Sequence, residues 1–349
     1  MYPLKNGQLW PRNQWYVAGW SNEFDEAPIE RTILGERVLL FRGESGRATV
    51  LAGLCPHRFM PLVKGARSGD RIECAYHGMT FDGDGVCTKG PAGAPPGGAT
   101  RIKRYATLEQ GPLVWVWMGE ADAADPAKMP DTSRCGIATD GWRADPNGTM
   151  HFAARYMLMV DNLFDLSHIA WVHVSLLGKP TLCDQPVAVS REGCILRADR
   201  HETGPVDDFS RYLFPESVGP IQQTLGTELL GPGLITAVGP WVREAEGSPL
   251  VGKDWGQVQF VHVITPETAT TTNVFSLVSR NFRLEDEGLT AALCAQNKAV
   301  LAQDCEVAGL IEAGLNEADT MSELSFRPDH GAIEARRYIQ SLIDAEKAQ

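Results

Sequence analysis

The sequence predicts an α+β chain of two domains, an all-β amino-terminal one and a carboxyl-terminal one that mixes strands with long helices. Three observations predict it. At 349 residues the chain exceeds one typical domain of roughly 150. Up to Met118 its apolar runs are short, rich in β-branched and aromatic residues and separated by glycines. Near the other end, residues 289–313 keep a helical apolar period through Leu293, Val300, Leu301 and Val307.

Composition narrows the function classes. With 43% apolar and 22% charged residues the chain has an ordinary globular balance, and no window approaches the ~20 apolar residues of a membrane span. Met1 to Gln8 lacks a basic region feeding an apolar run, so the expectation is a cytoplasmic protein without a membrane segment. A net charge of -12 argues against nucleic acid, whose phosphates need a basic stripe. Of eight cysteines, Cys87, Cys135, Cys183, Cys194, Cys294 and Cys305 are read as reduced packing residues.

In order, residues 15–19, 37–42 and 48–52 read as strands, with turns at Gly43, Gly46 and Gly53. Residues 79–82 form another, closed by the hairpin turn Asp82-Gly83-Asp84-Gly85. Residues 107–109 and 113–118 complete the set, and the Pro/Gly-rich stretch 90–98 that precedes them is a surface loop. Two loops at strand ends carry the chemistry: Cys55-Pro56-His57 and, after sixteen residues, Cys74-Ala75-Tyr76-His77. Two thiolates and two imidazoles are the ligand set of a Rieske [2Fe-2S] centre, in which two His replace two Cys on one iron. A Cys2His2 zinc site would use the same ligand types, but zinc fingers pair Cys with Cys and His with His, whereas each loop here carries one of each.

Between Gly119 and Asp145 the composition turns to Ala, Asp, Pro, Gly and Lys, and Pro126, Pro130 and Pro146 break any regular element. The boundary is placed there, giving domains 1–132 and 133–349. Next comes Asp161-Asn162-Leu163-Phe164-Asp165-Leu166-Ser167-His168, with His173 five residues later. On one helix Asp161, Asp165 and His168 would share a face within about 60°, looking inward together. His173 would lie about 140° from His168, so the helix must end or distort for both to reach one metal. Two imidazoles and a carboxylate form the facial triad of non-haem iron(II) oxygenases. An amphipathic helix with two incidental histidines is the other reading. His151, His201, His262 and His330 lack partners at ligand spacing. Strand-like runs at 257–264 and 272–278 precede the long helix, and 331–348 reads as a further amphipathic one.

Residues 10–120, with Cys-x-His-x16-Cys-x2-His, resemble the Rieske domain of the bacterial Rieske non-haem iron oxygenases, and Asp165-x2-His168-x4-His173 resembles the catalytic-iron motif of the same family. The resemblance implies a helix-grip (Bet v1-like) catalytic domain, a Rieske 2Fe-2S cluster and a mononuclear Fe(II). It implies a third iron ligand on the late helix, where Asp304 aligns best and Glu306 is the fallback. Electrons from the reduced cluster would then reach the iron, and dioxygen would oxidise a substrate C–H or C=C bond. Family members form head-to-tail homotrimers with the cluster of one subunit beside the iron of the next. Asp165 matches the residue that bonds both the partner subunit's His77 and its own His168. High-potential Rieske proteins bridge their ligand loops with two further Cys; the equivalent positions here are Met60 and Tyr76, which implies a potential low in the Rieske range. Arg58 and Tyr76 either donate to the cluster surroundings or are a plain surface Arg and a plain core Tyr.

The whole chain, including residues 13–18 and the Thr265-Pro266-Glu267-Thr268 turn after His262, resembles the monooxygenase branch that demethylates aromatic methoxy acids, as vanillate and dicamba demethylases do. That implies hydroxylation of a methyl group to a hemiacetal that loses formaldehyde, and a contact from His262 to the carboxylate of a small aromatic substrate. Leu234-Ile235-Thr236 stands where the dicamba pattern has an amide partner. A ring- or side-chain-hydroxylating oxygenase and an electron-transfer Rieske protein are the alternatives. No Gly-x-Gly-x-x-Gly follows a strand, so electrons from NAD(P)H are expected through a separate reductase, with or without a ferredoxin.

Overall fold

In the computed structural model, described over residues 4–25, 27–94, 100–177, 186–317 and 323–347, the chain divides into two units. One comprises Arg12–Met129 and Thr265–Ala269; the other comprises Met1–Pro11, Pro130–Ile264 and Thr270–Gln349. Cys183 and part of the Pro/Gly-rich loop, residues 95–99, lie outside the described residues.

The first unit is all β. Its strands are β1 (Trp15–Trp20), β2 (Ile29–Ile33), β3 (Glu36–Arg42), β4 (Ala48–Ala52), β5 (Ala66–Ser68), β6 (Arg71–Glu73), β7 (Thr80–Asp82), β8 (Cys87–Lys89), β9 (Arg104–Tyr105), β10 (Thr107–Gln110) and β11 (Leu113–Trp117). They form three antiparallel sheets, ordered β1-β11-β10, β2-β3-β4-β9 and β5-β6-β7-β8. Continuous apolar runs make β1 and β11 buried throughout, and Trp15 opposes Trp117 with the rings edge-on at 5.5 Å. The β7–β8 turn is set by the Asp82 carboxylate, which accepts the amides of Asp84 and Val86. Gly85 there has φ +76°, and a Cβ would meet the Ile102 carbonyl at 2.3 Å, so no other residue fits. Leu39, Phe41, Leu51, Ile72 and Phe81 form the core around Cys55, Cys74 and Met79, which places the ligand loops on a rigid base.

The second unit carries one seven-stranded antiparallel sheet, ordered β12-β18-β17-β16-β15-β14-β13. Its strands are β12 (Arg143–Phe152), β13 (Ala188–Glu192), β14 (Ile195–Gly204), β15 (Ile221–Gly231), β16 (Leu234–Glu244), β17 (Asp254–Thr268) and β18 (Thr271–Arg280). Its helices are α1 (Tyr156–Phe164), α2 (Ile169–Val172), α3 (Val174–Leu177), α4 (Asp208–Leu213), α5 (Glu287–Glu317) and α6 (His330–Lys347). Two sequence expectations fail here. Pro146 does not interrupt the chain but sits inside β12, where the register shifts between Pro146 and Thr149; an end strand with a bulge tolerates a residue that cannot donate. The Thr265-Pro266-Glu267-Thr268 segment is not a turn, since β17 runs through it and the chain reverses at residues 269–270.

Helices α1, α5 and α6 share a core with the sheet: Tyr156, Met159, Val160 and Phe164 meet Leu301, Ala308, Ala335, Ile339 and Ile343 over Leu196, Leu229 and Ile235. Among the buried positions of α6, Ala332, Ala335, Ile339 and Ile343 repeat every three to four residues, so its apolar stripe is spent on this core. Replacing Ile339 by Ala would cost about 2–5 kcal/mol. Three polar residues interrupt the buried stripe of α5, each with a partner on another element. Asn297 donates to Ser276 at 2.6 Å, Asp304 accepts from Asn162 at 3.0 Å, and Glu312 takes Arg155 through its guanidinium and backbone amide at 2.6–3.1 Å. Among the described residues no helix is long and apolar enough to cross a membrane.

Candidate metal centres

The two cluster loops repeat one hydrogen-bond frame. The Cys55 amide donates to the carbonyl of Met60, and the amide of Phe59 returns to the Cys55 carbonyl; likewise the Cys74 amide donates to Met79 and Gly78 returns to Cys74, all at 2.7–3.0 Å. The fifth residue of each loop takes a left-handed conformation, Phe59 at φ 56° and Gly78 at φ 69°. Glycine does this freely, whereas a phenylalanine there is strained. The frame turns both cysteines into the core and leaves both histidines half-buried at the rim.

The His57 and His77 rings lie 4.7 Å apart at 60°, and Tyr76 packs on His77 at 3.8 Å. Burial, reinforced by the neighbouring Cys74, raises the Cys55 thiol, while the backbone amides of His57 and Arg58 pull it the other way. Arg58 thus contributes through its main chain. Tyr76 is 60% exposed and is not a core residue. The Nδ1 atom of His57 is buried with no hydrogen-bond partner among the described residues. A buried nitrogen left unpartnered, on a loop whose histidine ring meets that of the second loop and whose cysteine is buried like its counterpart, fits a group bound through both loops, as a Rieske cluster is.

At the second centre the helix expected through His168 stops early. α1 ends at Phe164, and Asp165 is extended, with φ -86° and ψ 94°. Its carboxylate accepts the amide of Ser167 at 2.8 Å and also its hydroxyl, a local bond that competes with the helix. Asp161, Asp165 and His168 therefore do not share one face. Asp161 instead forms a two-pronged pair with Arg336 of α6 at 2.7–2.8 Å. His168 and His173 flank the four-residue α2, and this break lets both rings turn to one point.

There they meet Asp304, midway along α5. The Nε2 atoms of His168 and His173 are 3.2 Å apart and lie 3.5 and 3.1 Å from Asp304 Oδ1. Ligand atoms of all three fall within 4.8 Å of one another. Two nitrogens about 2.1 Å from a common ion, at right angles, would be about 3.0 Å apart, so the spacing fits a metal. Glu306, two residues on, is exposed.

The tautomers agree. His168 Nδ1 faces the carbonyl oxygen of Asp165, which can only accept, and His173 Nδ1 lies 2.8 Å from Gln303 Oε1. Both Nε2 lone pairs are thereby free for a cation. The expected contact from Asp165 to His168 is made by its backbone and not its carboxylate. Burial opposes ionisation of Asp304, but bonds from His168, His173 and Asn162 outweigh it and hold its pKa well below the carboxylate range. For His173 burial likewise disfavours the charge, and the bonds to Asp304 and Gln303 raise it above the ordinary value. Asn162 and Gln303 were not foreseen, because amides carry no ligand signature in a sequence.

A cavity of about 260 Å³ opens onto the triad. Leu163, Ile169, Leu225, Phe260 and Val300 give it an apolar wall, and His262 of β17 lines it. His262 is buried, its Nδ1 has no partner among the described residues, and burial lowers its pKa to about 4. It pairs across the sheet with Ile235, while Thr236 spends its hydroxyl on Gln259 at 2.7 Å, so residues 234–236 add no second donor for a substrate.

Known proteins share the domains and the fold that carry these centres. A family model described as the Rieske [2Fe-2S] domain matches residues 14–106, and one described as the vanillate O-demethylase oxygenase C-terminal domain matches residues 152–345. The iron-sulfur subunit of the toluene-4-sulfonate monooxygenase system of Comamonas testosteroni is 30% identical over 96% of this chain and 97% of its own. The oxygenase component of dicamba O-demethylase from Stenotrophomonas maltophilia is 30% identical over 97% of this chain and 99% of its own. The crystal structure of dicamba monooxygenase bound to 3,6-dichlorosalicylic acid superposes with a TM-score of 0.85 at 28% identity, covering 97% and 99% of the two chains. Two centres of this chemistry, on this fold, with relatives matching end to end, place the chain among the Rieske non-haem iron oxygenases, oxidoreductases that act with dioxygen through a Rieske [2Fe-2S] cluster and a mononuclear iron.

Proposed function

We propose that this chain is the oxygenase component of a multicomponent monooxygenase that removes the methyl group of a methoxylated aromatic acid of the vanillate type. The observation that carries the reading is the His168, His173 and Asp304 triad on the wall of an apolar cavity of single-ring scale. The match of residues 152–345 to the vanillate demethylase domain and the 30% identity to dicamba demethylase support the methoxy substrate.

In this reading the domains divide near residue 132. Cys55, His57, Cys74 and His77 hold the cluster, and His168, His173 and Asp304 hold the iron. Iron in that site, supplied with electrons from a cluster, brings the activation of dioxygen. The chain's own groups do the rest. The apolar wall excludes water and orients the ring, with the methyl group toward the triad. His262, neutral at physiological pH, offers a hydrogen bond to the polar end of the substrate. Asp165, beside His168, lies on the electron path from the partner subunit's His77 in a head-to-tail homotrimer, with a reductase upstream, acting with or without a ferredoxin. Hydroxylation of the methyl carbon gives a hemiacetal that collapses to phenol and formaldehyde.

The relationship to a toluene-4-sulfonate monooxygenase favours a second reading, hydroxylation of a ring or side-chain carbon. The test is a panel of methoxybenzoates, phthalates and aryl sulfonates, scored by oxygen uptake coupled to product. Formaldehyde released one-for-one with phenol supports demethylation, whereas a retained hydroxymethyl or ring hydroxyl supports the second reading. An iron count of about two per chain with no oxygen uptake would leave an electron-transfer protein.

A further inference from the structure

We propose that Gln303 is a positioning residue for the mononuclear iron, acting by gripping the far side of the His173 ring. The proposal rests on the assignment of His168, His173 and Asp304 as ligands. Gln303 and Asp304 are consecutive on α5 and so point about 100° apart around the helix. Both nevertheless reach one imidazole: Asp304 Oδ1 lies 3.1 Å from Nε2, and Gln303 Oε1 lies 2.8 Å from Nδ1. The ring is therefore held at both nitrogens by neighbouring residues of a single helix.

The two histidines are aimed by different means. His168 is oriented by its own turn, through the Asp165 carbonyl three residues earlier. His173 closes α2 with φ -103° and ψ 18°, outside the helical range, and its Nδ1 partner comes from α5. The orientation of the Gln303 amide is itself set, because its Nε2 donates toward Ser175 Oγ at 3.4 Å, leaving Oε1 for the ring. An amide acceptor fixes the tautomer without adding a negative charge beside Asp304. A carboxylate in its place would make His173 a more basic ligand.

The experiment measures iron retention by chelator competition on the full chain with its cluster loaded, without substrate or turnover. The ferrous ligand-field bands are read in parallel by near-infrared magnetic circular dichroism. Gln303→Leu keeps the bulk and removes the acceptor, and should weaken iron binding by about 10–100-fold. Gln303→Glu restores the acceptor, and should hold iron within a few-fold of wild type while shifting the ligand-field bands. Ser175→Ala frees only the amide nitrogen and should give a smaller loss than Gln303→Leu. The cluster absorption bands and melting temperature report folding in every variant. Wild-type affinity and unchanged bands in Gln303→Leu would overturn the proposal, as would a folded Gln303→Glu that loses iron as readily as the Leu variant. A wild-type chain with only two irons refutes the ligand assignment itself, a result distinct from both.

Discussion

The cluster loops draw all four candidate ligands from one short stretch, Cys55 to His77, whereas the triad takes two histidines from a broken helical segment and its carboxylate from a helix on the far side of six strands of sequence. The first site is framed by bonds within each loop, which local sequence specifies. The second exists only when α1, α5 and the sheet have packed. Exposure follows the same division. Phe59, at 73%, and Tyr76 stand out beside half-buried His57 and His77, while His173 and Asp304 are 1% and 3% exposed. An electron can leave through a ring at the surface, but oxygen chemistry on a carbon bond needs water kept out. The contrast separates a centre whose histidines reach the surface from one whose His173 and Asp304 are buried.

The largest effect should come from Cys74→Ala, which removes the cluster: its visible bands vanish, turnover falls below detection, and iron drops from about three to about one per chain. Asp304→Ala is the mirror case. The cluster bands persist, iron falls to about two per chain, and turnover drops by at least about 100-fold. Should either variant empty both sites, the two centres are not built independently. Asp165→Asn comes next, since Asn preserves the bond to the Ser167 amide; both metals should remain while turnover falls roughly 10–100-fold. Near-normal product formation would remove Asp165 from the electron path.

His262 makes a smaller prediction with a definite sign. Its pKa is depressed to about 4 from 6.5, so between these values the unfolded chain binds the extra proton and stability falls as pH drops. His262→Gln should flatten thermal denaturation between pH 6.5 and 4, recovering at most about 3 kcal/mol at the acid end. An unchanged acid limb would mean that the ring is solvated. Smallest of all is Phe59→Gly: the side chain is largely exposed and its φ of 56° suits glycine, so stability should stay within about 1 kcal/mol of wild type. A loss of cluster in that variant would show that the loop depends on the aromatic ring and not on the backbone frame.

The same division governs what could be read from the chain. Cys-x-His and Cys-x2-His identify the cluster because its ligands are local, and the strands around it follow from alternating turns and apolar runs. Asp161 to His168 misled because 3.6-residue arithmetic assumes that the helix continues, and a short acidic side chain that bonds two residues on can end it. The true partner of Asp161, Arg336, is 175 residues away and has no local signal. Asp304 and Glu306 could not be told apart by type; being about 200° apart on a helix, only one can face the core, and packing selects Asp304. Pro146 reads as a breaker by residue type alone, and only the order of the sheet shows that its strand lies at the end.

The three polar residues in the buried stripe of α5 have a consequence for the metal-free protein. A helix with an unbroken oily stripe can slip by a turn and find equivalent packing. Here a slip of about 5.4 Å would strand Asn297, Asp304 and Glu312 together, each buried and parted from a fixed counterpart in Ser276, Asn162 or Arg155. Such groups act as the teeth of a key, much as one buried Asn sets the alignment of paired helices. Two of the three teeth are not ligands at all. A chain stripped by a chelator should therefore keep α5 in place and take up iron again without refolding.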